Sequence, residues 1–195
     1  ARLTALLEHP NIINIHDIGL KENGTPYFTM DLKEGDNLAD IFQKLELEQD
    51  FYINTYSLHQ LLIIFIKICD AIAYAHSKNF IHLDLKPENI QVGSFGEVLV
   101  CDWGLGKILS ANETEDLEEL LLDADLLNHV TSKNSIVGTP GYMAPEQIKK
   151  DGEHDKRSDI YSLGCVLYSI LTYKRPLDGH VNDILKNTLL GNIVP

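Results

Sequence analysis

The stretch HLDLKPEN at residues 82–89, followed by DWG at residues 102–104, is the most informative part of this chain. Its chemically active members are two acids, a lysine and an amide: Asp84, Lys86, Asn89 and Asp102. The first acid and the amide are five residues apart, and the second acid follows the amide by thirteen residues. Each of these residues alone would be an ordinary surface residue, so the argument depends on their order and spacing.

This set of residues suits the transfer of a phosphoryl group from a metal-bound nucleotide to a hydroxyl. Charge spreads over the phosphoryl oxygens in that reaction, so the site needs metal ligands, a cation and a carboxylate that orients the hydroxyl. Asp84 can align the hydroxyl proton, and Lys86 can neutralise the transferring phosphate. Asn89 and Asp102 supply the hard oxygen ligands that Mg²⁺ prefers.

Four motifs follow one another in the order of a known family. The stretch at 82–89 resembles the protein-kinase catalytic loop, and DWG resembles the family's D-F-G triplet. GTPGYMAPE at 138–146 resembles the end of an activation segment, and SDIYSLG at 158–164 resembles the start of the long helix after it. The whole chain therefore resembles a eukaryotic-type (Hanks-type) Ser/Thr protein kinase, and the D-W-G-L run resembles that of some bacterial members.

The resemblance implies an α+β, protein-kinase-like fold. Residues 1–33 would form a partial N-lobe with the end of helix C, two strands and the hinge, and residues 34–195 most of the helical C-lobe. Within that lobe it implies a catalytic loop at 82–89, an activation segment at 102–146 and a long buried helix at about 158–173. Apolar spacing and turn signals predict the local elements: a helix end at 2–8, strands at 12–15, 27–30, near 92 and at 98–100, and helices at about 38–45, 58–76 and 181–190.

The resemblance also implies which residues bind ATP and Mg²⁺. The catalytic set would be Asp84, Lys86, Asn89 and Thr139, with Asn89 and Asp102 holding the metal. On the nucleotide side, Met30 would be the gatekeeper, and Asp31, Leu32 and Lys33 would form the hinge. Asn37 or its neighbour Asp36 would contact the ribose. Gln91 would form the floor beneath adenine, and Cys101 and Asp102 would complete the set. Thr139 would hydrogen-bond Asp84 and Lys86, as in the family's Ser/Thr enzymes. His82 would pack against Trp103, and Asp159 would bind the backbone of the catalytic loop.

Several positions depart from the family pattern. Leu83 replaces the arginine that normally pairs with an activation-loop phosphate, so the chain lacks the usual receptor for that charge. Trp103 replaces phenylalanine, and polar Gln91 replaces an apolar residue beneath adenine. The activation segment is long, with thirty-nine residues between Gly104 and Ala144. Its acidic insert, residues 113–127, is either an amphipathic docking helix or a solvated acidic loop.

The boundaries of the sequence affect the expected activity. The sequence contains no Gly-rich loop and no V-A-I-K-type lysine, so we expect an internal segment of a kinase domain that is inactive by itself. The leading function is transfer of the ATP γ-phosphoryl group to protein Ser or Thr hydroxyls. The alternative is a pseudokinase that binds nucleotide or a partner without chemistry, which the departures favour and the four retained active residues oppose.

Net charge, apolar runs and cysteine content limit which partners and which cellular compartment are expected. The net charge of −13 argues against nucleic-acid binding, and a protein substrate is expected instead. No apolar run approaches the roughly 20 residues of a membrane span, so no membrane contact is expected from this segment. Three cysteines in apolar surroundings predict free thiols in a cytoplasmic protein, although the parent protein could be membrane-anchored.

Overall fold

The computed structural model describes six stretches of the chain: 7–21, 23, 25–32, 34–109, 138–149 and 151–193. Three predicted features lie outside these described residues. They are most of the helix end predicted at 2–8, the hinge residue Lys33 and the acidic insert 113–127.

The strands are short and the helices carry most of the ordered backbone. The strands are β1 (Ile15–Leu20), β2 (Pro26–Met30), β3 (Gly35–Asn37), β4 (Phe80–Ile81), β5 (Ile90–Gly93), β6 (Val98–Val100) and β7 (Lys107–Ile108). The helices are α1 (Leu38–Glu46), α2 (Asp50–Thr55), α3 (Leu58–Ser77), α4 (Pro145–Ile148), α5 (Lys156–Thr172) and α6 (Val181–Leu190). This mixture agrees with the predicted α+β, kinase-like fold.

Three small antiparallel sheets connect these elements. β1 pairs with β2, β3–β5–β6 form a three-stranded sheet, and β4 pairs with β7. The register of the middle sheet places Asn37 opposite Gln91, and Gln91 opposite Leu99. The sheets β3–β5–β6 and β4–β7 thus hold the two ends of the catalytic loop, since β4 precedes that loop and β5 follows it.

Helix α3 forms because its apolar residues recur every three or four positions and so share one face. The Ser57 side chain caps its first turn by accepting a hydrogen bond from the Gln60 amide at 3.3 Å. The buried face consists of Leu61, Ile64, Ile68, Ala71, Ile72 and Ala75. The helix is also long and apolar enough to cross a membrane by length and composition alone, a test that core helices of soluble proteins pass as well. A third of its most apolar window is buried in this structure.

Helix α5 starts where the Asp155 side chain accepts a hydrogen bond from the Arg157 amide at 2.7 Å. Its buried face is partly polar and includes Ser158, Asp159, Ser162 and Ser169. The long helix expected at about 158–173 is therefore not buried on all sides, and Ile160 is exposed. The buried polar side chains are the ones that reach neighbouring segments, as described below for Asp159.

Two local predictions were wrong, and helix α2 was missed. The strand expected at 12–15 begins only at Ile15, because Ile12 and Ile13 are buried against β6 and hydrogen-bonded near Val100 and do not join the β1 ladder. Leu7 and Glu8 are not helical. Helix α2 was not predicted, since it buries none of its residues and so lacks an amphipathic pattern.

The core position of α3 gives a matched test of stability. Replacing Ile68, which is 0% exposed, with alanine should lower the free energy of unfolding by about 2–5 kcal/mol, because a cavity replaces buried methyl groups. Ile66→Ala, two residues away and 59% exposed, should change it by less than about 0.5 kcal/mol. Urea unfolding of both variants measures the difference, and equal losses would contradict the assigned helix face.

Candidate active site

The catalytic loop lies between two structures that fix its ends. Helix α3 ends at Ser77, a turn with Asn79 in the left-handed region (φ +61°) reverses the chain, and β4 leads into His82. At the other end, a 3₁₀ turn at Pro87–Asn89 leads directly into β5. The loop is therefore short, anchored at both ends and mostly buried.

Asp84, Lys86 and Thr139 form a closed triangle of hydrogen bonds. Lys86 Nζ donates to Asp84 Oδ2 at 2.8 Å and to Thr139 Oγ1 at 2.6 Å. The Thr139 hydroxyl in turn donates to Asp84 Oδ1 at 2.7 Å. The expected hydrogen bonds of Thr139 are thus present. Because both carboxylate oxygens accept from fixed donors, the orientation of the Asp84 side chain is set before any substrate arrives.

The two predicted metal ligands approach each other through the backbone. Asn89 Nδ2 donates to the Asp84 carbonyl at 2.8 Å, which leaves Oδ1 as the amide oxygen suited to a cation. The Cys101 amide donates to the Asn89 carbonyl at 2.8 Å, so Asp102 follows immediately after a residue bonded to Asn89. Asp102 itself is exposed and has a positive φ of +57°. The pair can supply hard oxygen ligands from two adjoining segments.

His82 lies in the core behind this site. Its ring contacts the Trp103 ring, with centroids 4.6 Å apart, as predicted. Nε2 lies 3.0 Å from the Cys101 carbonyl oxygen, and since a carbonyl only accepts, Nε2 carries the proton. Nδ1 then accepts from the Asp84 amide at 3.3 Å. The neutral ring satisfies both partners, and burial lowers the pKa of His82 below its ordinary value.

Asp159 binds the backbone at the start of the catalytic loop, as predicted. This buried carboxylate accepts hydrogen bonds from the backbone amides of His82 and Leu83, both at 2.9 Å. Its Oδ2 also accepts from His76 Nε2 at 2.7 Å. Three donors therefore surround one buried carboxylate, which compensates for its removal from water.

Leu83 adopts a backbone conformation that bulky residues rarely take. Its φ is +65°, in the left-handed region, and its side chain is buried. Such a conformation costs on the order of 1–2 kcal/mol and persists only where neighbours over-determine it. Here both backbone groups are held, since the Leu83 amide donates to Asp159 and its carbonyl accepts from Gln147 Nε2 at 2.7 Å.

The structure adds two residues that the sequence reasoning missed, Gln147 and His76. Gln147 is buried, and its Oε1 accepts from the Ala144 amide at 2.9 Å while its Nε2 reaches Leu83. It therefore joins the end of the activation segment to the catalytic loop. The available signal was weak: Gln147 occupies the third position of α4, where a glutamine often bonds back to the helix start.

The residues predicted for the nucleotide side divide into two groups. Met30 and Asp31 lie beside β1, where Met30 pairs with Ile15 and Asp31 Oδ1 lies 2.7 Å from His16 Nε2. Their neighbour Lys33 lies outside the described residues. Asn37 and Gln91 are instead brought together as cross-strand partners in the middle sheet.

Some of these side chains already have intramolecular partners. Asn37 caps α1 by accepting from the Asp40 amide at 2.9 Å. Asp36 accepts from Lys44 Nζ at 2.7 Å and from the Tyr52 hydroxyl, and these bonds lower the pKa of Asp36. A ribose contact at either residue would therefore compete with an existing hydrogen bond. Cys101 is half-buried, and burial raises its pKa to about 11, which keeps the thiol protonated.

Comparison with known proteins agrees with this geometry. The profile of the protein kinase domain matches residues 1–193. The chain belongs to the protein kinase family. It is 41% identical over 198 residues to the serine/threonine-protein kinase PknD of Protochlamydia amoebophila, covering 96% of this chain and 20% of that protein.

Two further relatives of this kinase domain carry the same name. The serine/threonine-protein kinase PknD of Chlamydia felis is 37% identical over 186 residues, and that of Chlamydia pneumoniae is 38% identical over 182 residues. Each alignment covers 90% of this chain and 19% of the relative. The chain thus spans about a fifth of the length of the curated relatives that it matches.

The role of Asp159 in the kinase domain predicts a large loss of stability when its carboxylate is removed. Asp159→Ala leaves two buried amides and His76 without their acceptor, so the free energy of unfolding should fall by about 2–4 kcal/mol. Amide hydrogen exchange at His82 and Leu83 should also accelerate. Asp70→Ala, at an exposed position on α3, is the control and should change stability by less than about 0.5 kcal/mol.

The lowered pKa of His82 predicts a dependence of stability on pH. The unfolded chain takes up a proton at this histidine near pH 6.5, whereas the folded chain keeps it neutral, so acid favours unfolding. As pH falls below 6.5, His82 should lower the unfolding free energy by up to about 1.4 kcal/mol per pH unit. Unfolding of the wild type and His82→Phe at pH 7.5, 6.5 and 5.5 measures this slope, and an unchanged slope in the variant would contradict it.

Proposed function

We propose that the protein is an ATP-dependent Ser/Thr protein kinase that phosphorylates hydroxyls of a protein substrate. The observation that carries this proposal is the triangle of Asp84, Lys86 and Thr139. A surface ion pair would need no third partner, whereas here a carboxylate, an ammonium and a hydroxyl are held at 2.6–2.8 Å in a mostly buried site. That arrangement places a carboxylate that can orient a hydroxyl directly beside a cation, as phosphoryl transfer requires.

Each member of the triangle has a distinct role in the proposal. Asp84 accepts a hydrogen bond from the incoming Ser or Thr hydroxyl and orients its oxygen towards the phosphorus. Lys86 stabilises the negative charge that the transferred phosphoryl oxygens carry. Thr139 keeps both groups in position, because its hydroxyl is donor to one and acceptor from the other.

The residues present also fit ATP with Mg²⁺. The described residues contain no group of three or more His, Cys, Asp and Glu side chains placed to hold a metal. Mg²⁺ in phosphotransferases needs no such cage, since one or two protein oxygens suffice when phosphates and water complete its shell. Asn89 Oδ1 and the Asp102 carboxylate would supply those oxygens. The bound metal would neutralise phosphate charge during transfer.

In this proposal, the backbone of Leu83 is the point at which other residues hold the catalytic loop in place. An arginine at this position could bind an activation-loop phosphate, but an alkyl side chain buried in the core offers no such charge. Asp159 and Gln147 hold the backbone of Leu83 without any phosphate. We therefore place the organisation of the catalytic loop in these permanent hydrogen bonds.

The proposal is tested by phosphate transfer from labelled ATP to a Ser/Thr protein substrate, with the full-length protein and Mg²⁺. Asp84→Asn keeps the size of the side chain but removes its charge, so transfer should fall by at least about 100-fold. Asp70→Asn makes the same chemical change at an exposed position on α3 and should leave the rate unchanged.

Two outcomes would contradict the kinase proposal. Equal rates for the wild type and Asp84→Asn would remove Asp84 from the reaction. Binding of Mg-ATP without any transfer by the wild type would favour the alternative of a pseudokinase, in which the same site binds nucleotide or a partner.

A further inference from the structure

Glu88 is the one exposed side chain of the catalytic loop 82–89. Lys86 is half-buried, and the other six residues of the loop are buried. Glu88 directly precedes Asn89, whose side-chain amide donates to the Asp84 carbonyl. Glu88 is thus the exposed charge of the short loop that carries Asp84, four residues away in sequence.

Arg175 neutralises this carboxylate from the loop between α5 and α6. Its Nη2 lies 3.0 Å from Glu88 Oε1, across 87 residues of sequence. The side chains of Glu88 and Arg175 are 35% and 50% exposed, so solvent and a passing substrate can reach both. The pair is therefore a surface feature at the edge of the catalytic loop.

The ion pair of Glu88 and Arg175 also lies near Tyr142, in the segment 138–146 that supplies Thr139. The pKa of Tyr142 in that segment is raised to about 12, chiefly by burial, with Glu88 contributing to the rise and Arg175 opposing it, so both charges act on this phenol. A Cβ added at Gly141 would lie 3.2 Å from the Leu177 carbonyl oxygen, which places the α5–α6 loop directly against the segment.

Three parts of the chain thus meet beside the hydroxyl-orienting carboxylate. They are the catalytic loop with Glu88, the segment that supplies Thr139, and the α5–α6 loop with Arg175. The chain has a net charge of −13, so an unpaired carboxylate here would add to a field that already attracts cations. Arg175, one of three arginines in the chain, cancels that charge where a substrate passes.

We propose that Arg175 is a specificity-determining residue: by pairing with Glu88, it prevents the catalytic loop from selecting substrates with a basic residue beside the acceptor hydroxyl. This inference rests on the proposed kinase function. Without Arg175, Glu88 would be free to pair with a substrate lysine or arginine. Without the Glu88 charge, Arg175 would favour an acidic substrate residue instead.

The test uses the full-length protein and peptides with one serine acceptor, in which each flanking position in turn is alanine, arginine or glutamate. The variants are Arg175→Ala and Glu88→Gln, and neither residue belongs to the triangle around Asp84. Arg157→Ala is the matched control, because Arg157 is also an exposed arginine in an ion pair, with Asp155 at 2.7 Å.

Arg175→Ala should raise the ratio of kcat/KM for the arginine peptide over the alanine peptide by about two- to fivefold at one flanking position, the size expected for a half-exposed ion pair. Glu88→Gln should raise the ratio for the glutamate peptide by a similar factor. The ratios of Arg157→Ala should stay at wild-type values. Unchanged ratios in Arg175→Ala, or the same change in Arg157→Ala, would overturn the proposal.

Peptide affinity separates this proposal from the kinase function itself. If the wild type transfers no phosphate, the function proposed above fails, and the dissociation constants of the same peptides decide the role of Arg175. Tighter binding of the arginine peptide by Arg175→Ala than by the wild type supports the role. Equal binding of all peptides by both proteins overturns it.

Discussion

The rest of the site depends on one buried carboxylate, that of Asp159. It accepts from two consecutive amides of the catalytic loop and from His76 at the end of α3, so it fastens helix α5 to helix α3 and to the loop between β4 and β5. A buried charge is costly unless several donors surround it, and here the donors are the backbone groups that must be immobile. The same interaction that stabilises the core therefore positions Asp84, two residues beyond the first bonded amide.

Leu83 links this anchor to the end of the activation segment. Its left-handed backbone is unfavourable for a branched aliphatic residue, yet Asp159 holds its amide and Gln147 holds its carbonyl. Local strain is thus maintained by two buried side chains from α5 and α4. The loop is held here by one carboxylate and one amide side chain, at the position where the family uses an arginine and a phosphate.

Much of the fold followed from pattern alone, and the exceptions have physical causes. The bounds of α3 were predicted almost completely because its apolar spacing is regular over the whole helix. Helix α2 was missed because none of its residues is buried. The strand at 12–15 was misplaced because Ile12 and Ile13 pack against β6 and do not pair in the β1 ladder. For the candidate site, the sequence pointed to Asp84, Lys86, Asn89 and Asp102 because they lie in motifs that resemble those of the family. No motif of the sequence analysis singled out Gln147 or Arg175.

The sequence by itself determined the family, the order of the motifs and the chemical types available for phosphoryl transfer, because these depend on residue identity and short spacing. Only the tertiary structure decided which distant groups meet: Thr139 with Asp84 and Lys86, Asp159 with His82, and Arg175 with Glu88. Such contacts join residues 53 to 87 positions apart. Sequence spacing cannot specify them, since they arise from how α3, α5 and the loops pack around one shared core.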